Sequence, residues 1–341
     1  MRSTPPPPPG PEPPDDSPKV PVAADAGVGA EAGTVAALPP RRAAPAGGVI
    51  RPDSDIEVIP VGDRSRGLRR NIAYAFLIAY AVLMFVPFAW TIVTSFKTLP
   101  DSTRLTFIPE PFTLAAWEFV FANLEPSVVA MFVNSFIISA AVTVSNLVLG
   151  SLAGYAFARL NFPGRGLMFL LVLATLMIPD QLRLVPVYVL FSDAGLTRGI
   201  GQYVSVILLL AISATSVFLM RQYFLTIPKD LEEAAKIDGA GTFTTFSRVM
   251  LPLATPALAA VAILQFQGSW NGFFWPSVFL RDKDTWTLPI GLTLFRLEGG
   301  MANNWPPLMA VIVLATLPIL ALYLYFQRYF VEGIAASGVK G

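Results

Sequence analysis

The chain has 341 residues, of which 54% are hydrophobic and only 14% charged, with 24 basic against 23 acidic side chains and a formal net charge of +1. A soluble domain carries roughly 25% charged residues, so the deficit points to lipid as the solvent, and the even balance implies no nucleic-acid partner. Cysteine and histidine are both absent, which excludes disulfide frameworks, thiolate nucleophiles, zinc sites of the usual type and histidine acid–base catalysis.

The chain opens with "PPPPPGPEPPDDSP" and, further on, "ALPPRRAAPAGG", Pro-, Ala- and Gly-rich stretches with no aromatic residue before position 61. Such a segment cannot bury enough apolar area to offset its ordering entropy, so residues 1–70 read as a disordered Pro-rich tail. It lacks the basic and apolar regions of a secretory signal peptide. A Pro-rich docking motif is the alternative reading, supported by proline alone.

From Asn71 the composition changes. Residues 72–96 run without a charge, long enough to cross a hydrocarbon core of about 30 Å. Comparable runs follow at about 131–157, 167–190, 201–220, 253–280 and 307–327, which predicts six transmembrane helices in an all-α membrane domain over 71–341. Asp180 and Arg183 cut into the third run. Trp90, Trp270, Trp275, Tyr323 and Tyr325 gather at span ends, as interfacial anchors do. Arg64, Arg66, Arg69 and Arg70 precede the first span, and Arg159, Arg165, Arg221, Lys229, Lys236 and Arg248 occupy the loops on the same side. The positive-inside rule therefore places both termini in the cytoplasm of a multi-pass protein. Ala-, Pro- and Gly-rich usage with arginine well ahead of lysine fits a bacterial source, and so the bacterial inner membrane.

The span interiors hold essentially no ionisable groups, which weakens the reading as an ion-coupled secondary transporter or an intramembrane enzyme. Asp180, Arg183 and Asp193 are the nearest approach to a catalytic cluster. No P-loop occurs, so a transporter of this kind takes its energy from another polypeptide. The polar residues within spans are uncharged. Span two carries Asn134, Ser135, Ser139, Thr143, Ser145 and Asn146; span five carries Gln265, Gln267, Ser269 and Asn271 beside Trp270 and Trp275. Amides bond hydroxyls and rings cover the C–H face of a sugar, so Asn134, Gln265, Gln267, Trp270, Asn271 and Trp275 are candidate pathway residues for a polyhydroxylated solute. The same residue types also bond neighbouring helices as packing groups, and both readings stay open.

Between the fourth and fifth spans the sequence turns polar: "LEEAAKIDGAGTFTTFSRVMLPLATPAL" (231–258). Pro228 fits a first helical turn. Asp230, Glu232 and Glu233 suit the positive end of the helix dipole, and Lys236 the negative end. Gly239 fits a left-handed C-terminal position. The expectation is a helix of about ten residues, with Leu231, Ala234, Ala235 and Asp238 on one smooth face open to another protein. A second helix from Thr242 is expected to bury Phe243, Phe246, Val249 and Met250 and to stop before Pro252, with Thr255 capping span five. An amphipathic helix resting on headgroups would show bulky apolar residues opposite lysines and arginines, which this one lacks.

E-A-A, three residues, G, nine residues, an aliphatic, one residue and L-P, here Glu233, Ala234, Ala235, Gly239, Val249, Leu251 and Pro252, resembles the signature loop of bacterial ABC-importer permeases. "EEAAKIDGA", "GYAFARLNFPGR" (154–165), "MIPDQLRLVPVY" (177–188), "FQGSWNGFFWP" (266–276) and the terminal "GVKG" resemble the carbohydrate, maltose-type branch, over about residues 70–341. The resemblance implies a sugar or oligosaccharide importer subunit that forms half of a pore with a homologous permease. It further implies two cytoplasmic ATP-binding subunits carrying ATP and magnesium, an extracytoplasmic solute-binding protein, and no cofactor, metal or catalysis in this chain. Glu232, Glu233, Ala234, Ala235, Asp238, Gly239, Leu251 and Pro252, within a loop spanning 228–252, would then form the ATPase-coupling segment. The loop at 281–306 resembles the part that meets the binding protein, and "ASGVKG" a tail reaching between the ATPases. Glycerol-phosphate-type solutes are the alternative cargo in the same family.

Overall fold

A computed structural model describes residues 64–298 and 304–338, and all of its described secondary structure is helical. The elements are α1 (Arg64–Thr94), α2 (Leu99–Ser102), α3 (Ala115–Ala122), α4 (Val128–Arg159), α5 (Arg165–Ala174), α6 (Asp180–Asp193), α7 (Gly201–Leu210), α8 (Ala214–Thr226), α9 (Asp230–Ile237), α10 (Thr242–Thr245), α11 (Leu251–Leu253), α12 (Thr255–Trp270), α13 (Phe274–Phe279), α14 (Leu288–Glu298) and α15 (Trp305–Gly338). The expected disorder of the tail lies outside the described residues, apart from Arg64–Arg70, which open α1.

Three of these helices, at Arg70–Thr94, Val128–Arg159 and Trp305–Gln327, are long and apolar enough to cross a membrane unaided. Three bent pairs have the same composition: α5 with α6 at 103°, α7 with α8 at 40°, and Thr242–Leu253 with α12 at 77°. Interruptions therefore fall inside the third and fourth expected spans. The breaks have local causes. Pro179 supplies no N–H at the start of α6, and Ser213 adopts extended backbone between α7 and α8.

Helix α4 is the spine. Along it Met131, Ile138 and Val142 are buried with Ser135, Ser139, Asn146, Gly150, Ser151 and Gly154. The small residues let α8 approach at backbone distance: a β-carbon at Gly154 would stand 2.6 Å from the Met220 Cβ, and one at Gly150 would stand 2.9 Å from the Ser216 Cβ. Where apolar burial cannot drive association, close packing of this kind holds helices together. On the other side of α4, Phe266 and Trp270 of α12 join Val128, Met131, Leu288 and Val311 in one core cluster. By contrast α1 turns its apolar side chains outward, with Phe76 71% exposed, as a lipid-facing helix does.

The fifth expected span, 253–280, is not one helix. Helix α12 stops at Trp270, and the chain resumes as α13 after Asn271–Phe273. Gly272 sits so tightly in the turn that a β-carbon there would lie 3.0 Å from the Ser269 carbonyl oxygen. Asn-Gly ends the helix, a local signal that outweighs the continuous apolar run.

Candidate functional site

The charged segment forms α9, eight residues from Asp230 to Ile237. It is shorter than expected because Pro228 lies outside the helix and Lys229 occupies the N-cap. Its acids occupy the first turn and Lys236 the last, the arrangement the helix dipole favours. At the far end Gly239 adopts φ +81°. There the Gly239 N–H donates to the Lys236 carbonyl at 3.0 Å, and the Ala240 N–H to Ala235 at 2.9 Å. These two bonds make the Schellman cap that the glycine position implies.

One face of α9 turns inward. Glu232 and Ala235 are buried, while Leu231, Glu233, Ala234, Lys236, Ile237 and Asp238 are open, Ile237 at 86%. Ala235 is thus not part of an exposed smooth face with Ala234. It packs inward because it lies three residues on from Glu232, whose carboxylate has a partner inside. That partner is Arg159 at the end of α4. Its Nε stands 3.6 Å from Glu232 Oε1, with the two side chains only 5% and 11% exposed. The pair is an ion pair without a direct hydrogen bond. The same guanidinium donates through Nη2 to the Phe224 carbonyl at 2.6 Å and to the Ile227 carbonyl. Arg159 therefore ties together α4, the end of α8 and α9. Around it Tyr155, Phe224 and Phe246 form an aromatic contact set, with ring centroids 5.6 Å apart for Tyr155–Phe224 and 5.1 Å for Tyr155–Phe246.

The return limb departs from expectation in three places. Phe243 is 72% exposed, whereas Phe246 and Met250 are buried and Val249 is half-buried. The helical path does not stop before Pro252: a π turn at Phe246–Met250 leads into Leu251–Leu253, with Leu251 in helical geometry. The wider turn accommodates the proline, whose missing N–H leaves the preceding turn one hydrogen bond short. Nor does Thr255 cap α12. Ala254 takes the N-cap position, and the Thr255 hydroxyl donates to the Pro252 carbonyl at 2.6 Å across the bend.

The expected pathway residues scatter. Asn134 is buried and committed: its Nδ2 donates to the Asp284 carbonyl at 2.7 Å and to Trp286 at 3.0 Å, and its Oδ1 accepts from the Tyr203 hydroxyl at 2.9 Å. Trp270 is buried with its indole N–H on the Ala315 carbonyl at 2.9 Å, and Trp275 is buried against Phe279. Gln267 and Asn271 are exposed. Gln265 alone of the six lines a cavity of about 490 Å³, together with Thr175, Asp180, Arg183, Ser213 and Ser269. Beside that cavity Asn146 spans the α7–α8 break, donating to the Val142 and Leu210 carbonyls and accepting from the Ser213 N–H and Ser216 hydroxyl. No cluster of acids able to hold a metal occurs among the described residues.

The pairing central to this geometry carries no separate sequence signal: Glu232 reads as a first-turn acid of the coupling segment and Arg159 as a loop cation within the motif at 154–165, and 73 positions separate them (232 minus 159). The one available hint is an acid on the same helical face as Ala235, which asks for a buried partner.

Comparison with known proteins gives the family. Residues 146–335 match the family of binding-protein-dependent transport system inner membrane components. The arabinooligosaccharides transport system permease protein AraQ of Halalkalibacterium halodurans is 40% identical over 274 residues, covering 80% of this chain and 95% of that protein. The diacetylchitobiose uptake system permease protein NgcG of Streptomyces coelicolor is 34% identical, covering 75% of this chain and 84% of its own. The sn-glycerol-3-phosphate transport system permease protein UgpE of Yersinia enterocolitica is 35% identical over 61% of this chain and 73% of its own. In fold, the chain resembles the crystal structure of a bacterial ABC transporter involved in the import of the acidic polysaccharide alginate. The TM-score is 0.67 at 23% identity, over 80% of this chain and 99% of that one.

Proposed function

From the premise that this chain belongs to the family of binding-protein-dependent transport system inner membrane components, we propose that it is the permease subunit of an ATP-driven importer for a sugar or oligosaccharide. It forms half of the translocation pore beside a homologous permease. Two ATP-binding subunits hold the ATP and magnesium, and an extracytoplasmic protein delivers the solute. With each bent pair counted as one span the chain has up to six, and the cationic residues on one set of loops support a reading with both termini and α9 on the cytoplasmic side. This chain performs no bond chemistry. The sugar class is supported by relatives named for arabinooligosaccharide and diacetylchitobiose transport. The relatives named for sn-glycerol-3-phosphate transport support a second cargo class within the same architecture.

The observation that carries the coupling role is the division of α9 into two faces. Glu232 faces Arg159 at the end of α4 and Ala235 is buried on the same side, while Ala234, Ile237 and Asp238 are left open. An ATPase that grips the open face moves α9, and the Arg159 link passes that motion to two long helices. Mechanistically this is differential affinity. One ATPase arrangement favours one pore conformation, and the solute-loaded binding protein biases the same equilibrium from the other side. The test is co-purification of the ATPase with the chain carrying Ile237→Arg. Retained subunits, with hydrolysis still stimulated by the loaded binding protein, would remove α9 from the interface.

A further inference from the structure

Just past the end of α1 the chain carries a fully buried lysine, Lys97. A lysine at the end of a span ordinarily snorkels to water, but this one turns into the protein. Its three N–H donors go to the Arg104 carbonyl at 3.3 Å, the Thr106 carbonyl at 2.6 Å and the Thr106 hydroxyl at 3.1 Å. Asp101 balances the charge at 4.0 Å, and its Oδ2 also accepts from the Glu110 N–H at 3.2 Å. Further on, the Thr113 N–H donates to the Phe96 carbonyl at 3.0 Å. The segment 104–113 is thus tied at three points to residues 96–101. Releasing its first tie would uncover Lys97 and undo all three of its hydrogen bonds together.

These ties bring the segment back to the level of the span. The Phe107 ring meets Trp90 edge-on, with centroids 5.3 Å apart. Trp90 lies four residues before the last residue of α1 (94 minus 90), or about 6 Å at 1.5 Å per residue. The chain therefore leaves α1 and then descends its flank by about one helical turn. Yet its apolar side chains do not pack inward: Leu105 is 92% exposed, and Phe107, Ile108 and Phe112 are open too. They continue the surface of α1, on which every residue from Arg70 to Phe88 is exposed. Arg104 and Glu110 stand exposed among them. The centre of a protein interface is depleted of charges. Apolar tips and aromatic rings interleaved with charges suit the boundary between headgroups and acyl chains instead.

We propose that residues 104–112 form an interfacial lipid anchor, with Leu105, Phe107, Ile108 and Phe112 among the upper acyl chains and Lys97 as the tether that holds the loop in that pose. The anchor requires only that α1 spans the membrane; it depends neither on the cargo nor on the coupling at α9. It fixes the depth of the far end of α1, since interfacial side chains help to set the tilt and rotation of a span. A second permease seated on the loop is the competing occupant, and the experiment separates the two.

Because the chain contains no cysteine, single nitroxide labels report the surroundings of the loop in the full complex, reconstituted in vesicles of phosphatidylethanolamine and phosphatidylglycerol. Leu105→Cys and Ile108→Cys carry the label, and Asp193→Cys, an exposed acid at the end of α6, is the aqueous reference. Oxygen concentrates among acyl chains and a nickel chelate in water, so the ratio of their collision rates reports lipid. At 105 and 108 oxygen collisions are expected to exceed nickel collisions, the reverse of the order at 193. Nickel in excess at both positions puts the loop in water and overturns the anchor. Low rates with both reagents put it under another protein and overturn it as well. Lys97→Met in the Leu105→Cys chain is expected to shift the label towards the aqueous order. Where Lys97→Met fails to assemble, Thr106→Ala, which removes one of the three acceptors, carries the same test with a smaller expected shift. A label at 105 that keeps its full lipid signature in these variants overturns the tether.

Discussion

Arg159 and Glu232 show how much one pair of side chains does in this fold. Both are nearly buried, and the guanidinium also satisfies two carbonyls where α8 ends. Removing either partner alone leaves a buried charge unmatched, at a cost of about 3–5 kcal/mol. Arg159→Met and Glu232→Leu are therefore each expected to lower the thermal midpoint of the purified complex, and the double variant to recover much of the loss. Additive losses would show that the two side chains act independently. Gly239 makes a second residue-scale case. At φ +81° a branched side chain is strained by about 1–2 kcal/mol, so Gly239→Val is expected to loosen the cap of α9 and reduce ATPase co-purification. Gly239→Asn, which tolerates left-handed geometry, is expected to retain it.

At the scale of elements, α9 and the α4–α8 contact make separable predictions. Ile237 is 86% exposed, so Ile237→Arg is expected to leave thermal stability within about 0.5 kcal/mol while reducing ATPase binding. Gly154→Val does the reverse. Its branches would meet Met220 and the Arg221 backbone nitrogen, 2.9 Å from an added β-carbon, and overpacking of this kind costs about 1–3 kcal/mol. Assembly is expected to fail in proportion to lost stability, read by thermal melting. The elements are also where the limits of sequence reading lie. Hydropathy placed α1, α4 and α15, because a continuous apolar run and a long helix obey one rule. It did not reveal that 167–190 and 201–220 are bent, since a break of two or three residues barely alters a windowed average. Gly239 was legible because positive φ selects glycine locally. The inward turn of Ala235 was not, because burial depends on Arg159, distant in sequence. Asn134 and Gln265 look alike in a sequence, yet one is saturated by carbonyls and the other lines a cavity.

Across the whole molecule these parts form a single chain of connection. In the proposed coupling, force enters at the open face of α9, Arg159 and Glu232 hand it to α4 and α8, and the chain changes direction at the α7–α8 break by Gln265. The account requires that α9 be the contact with the motor. Its most direct test measures ATPase retention and loaded-binding-protein-stimulated hydrolysis for the full complex with Ile237→Arg, beside the unaltered chain and the exposed control Phe243→Arg on the return limb. The account predicts that Ile237→Arg loses both while the fold still melts at its normal temperature. Full retention of ATPase and of stimulated hydrolysis by Ile237→Arg, matching the unaltered chain, would contradict it.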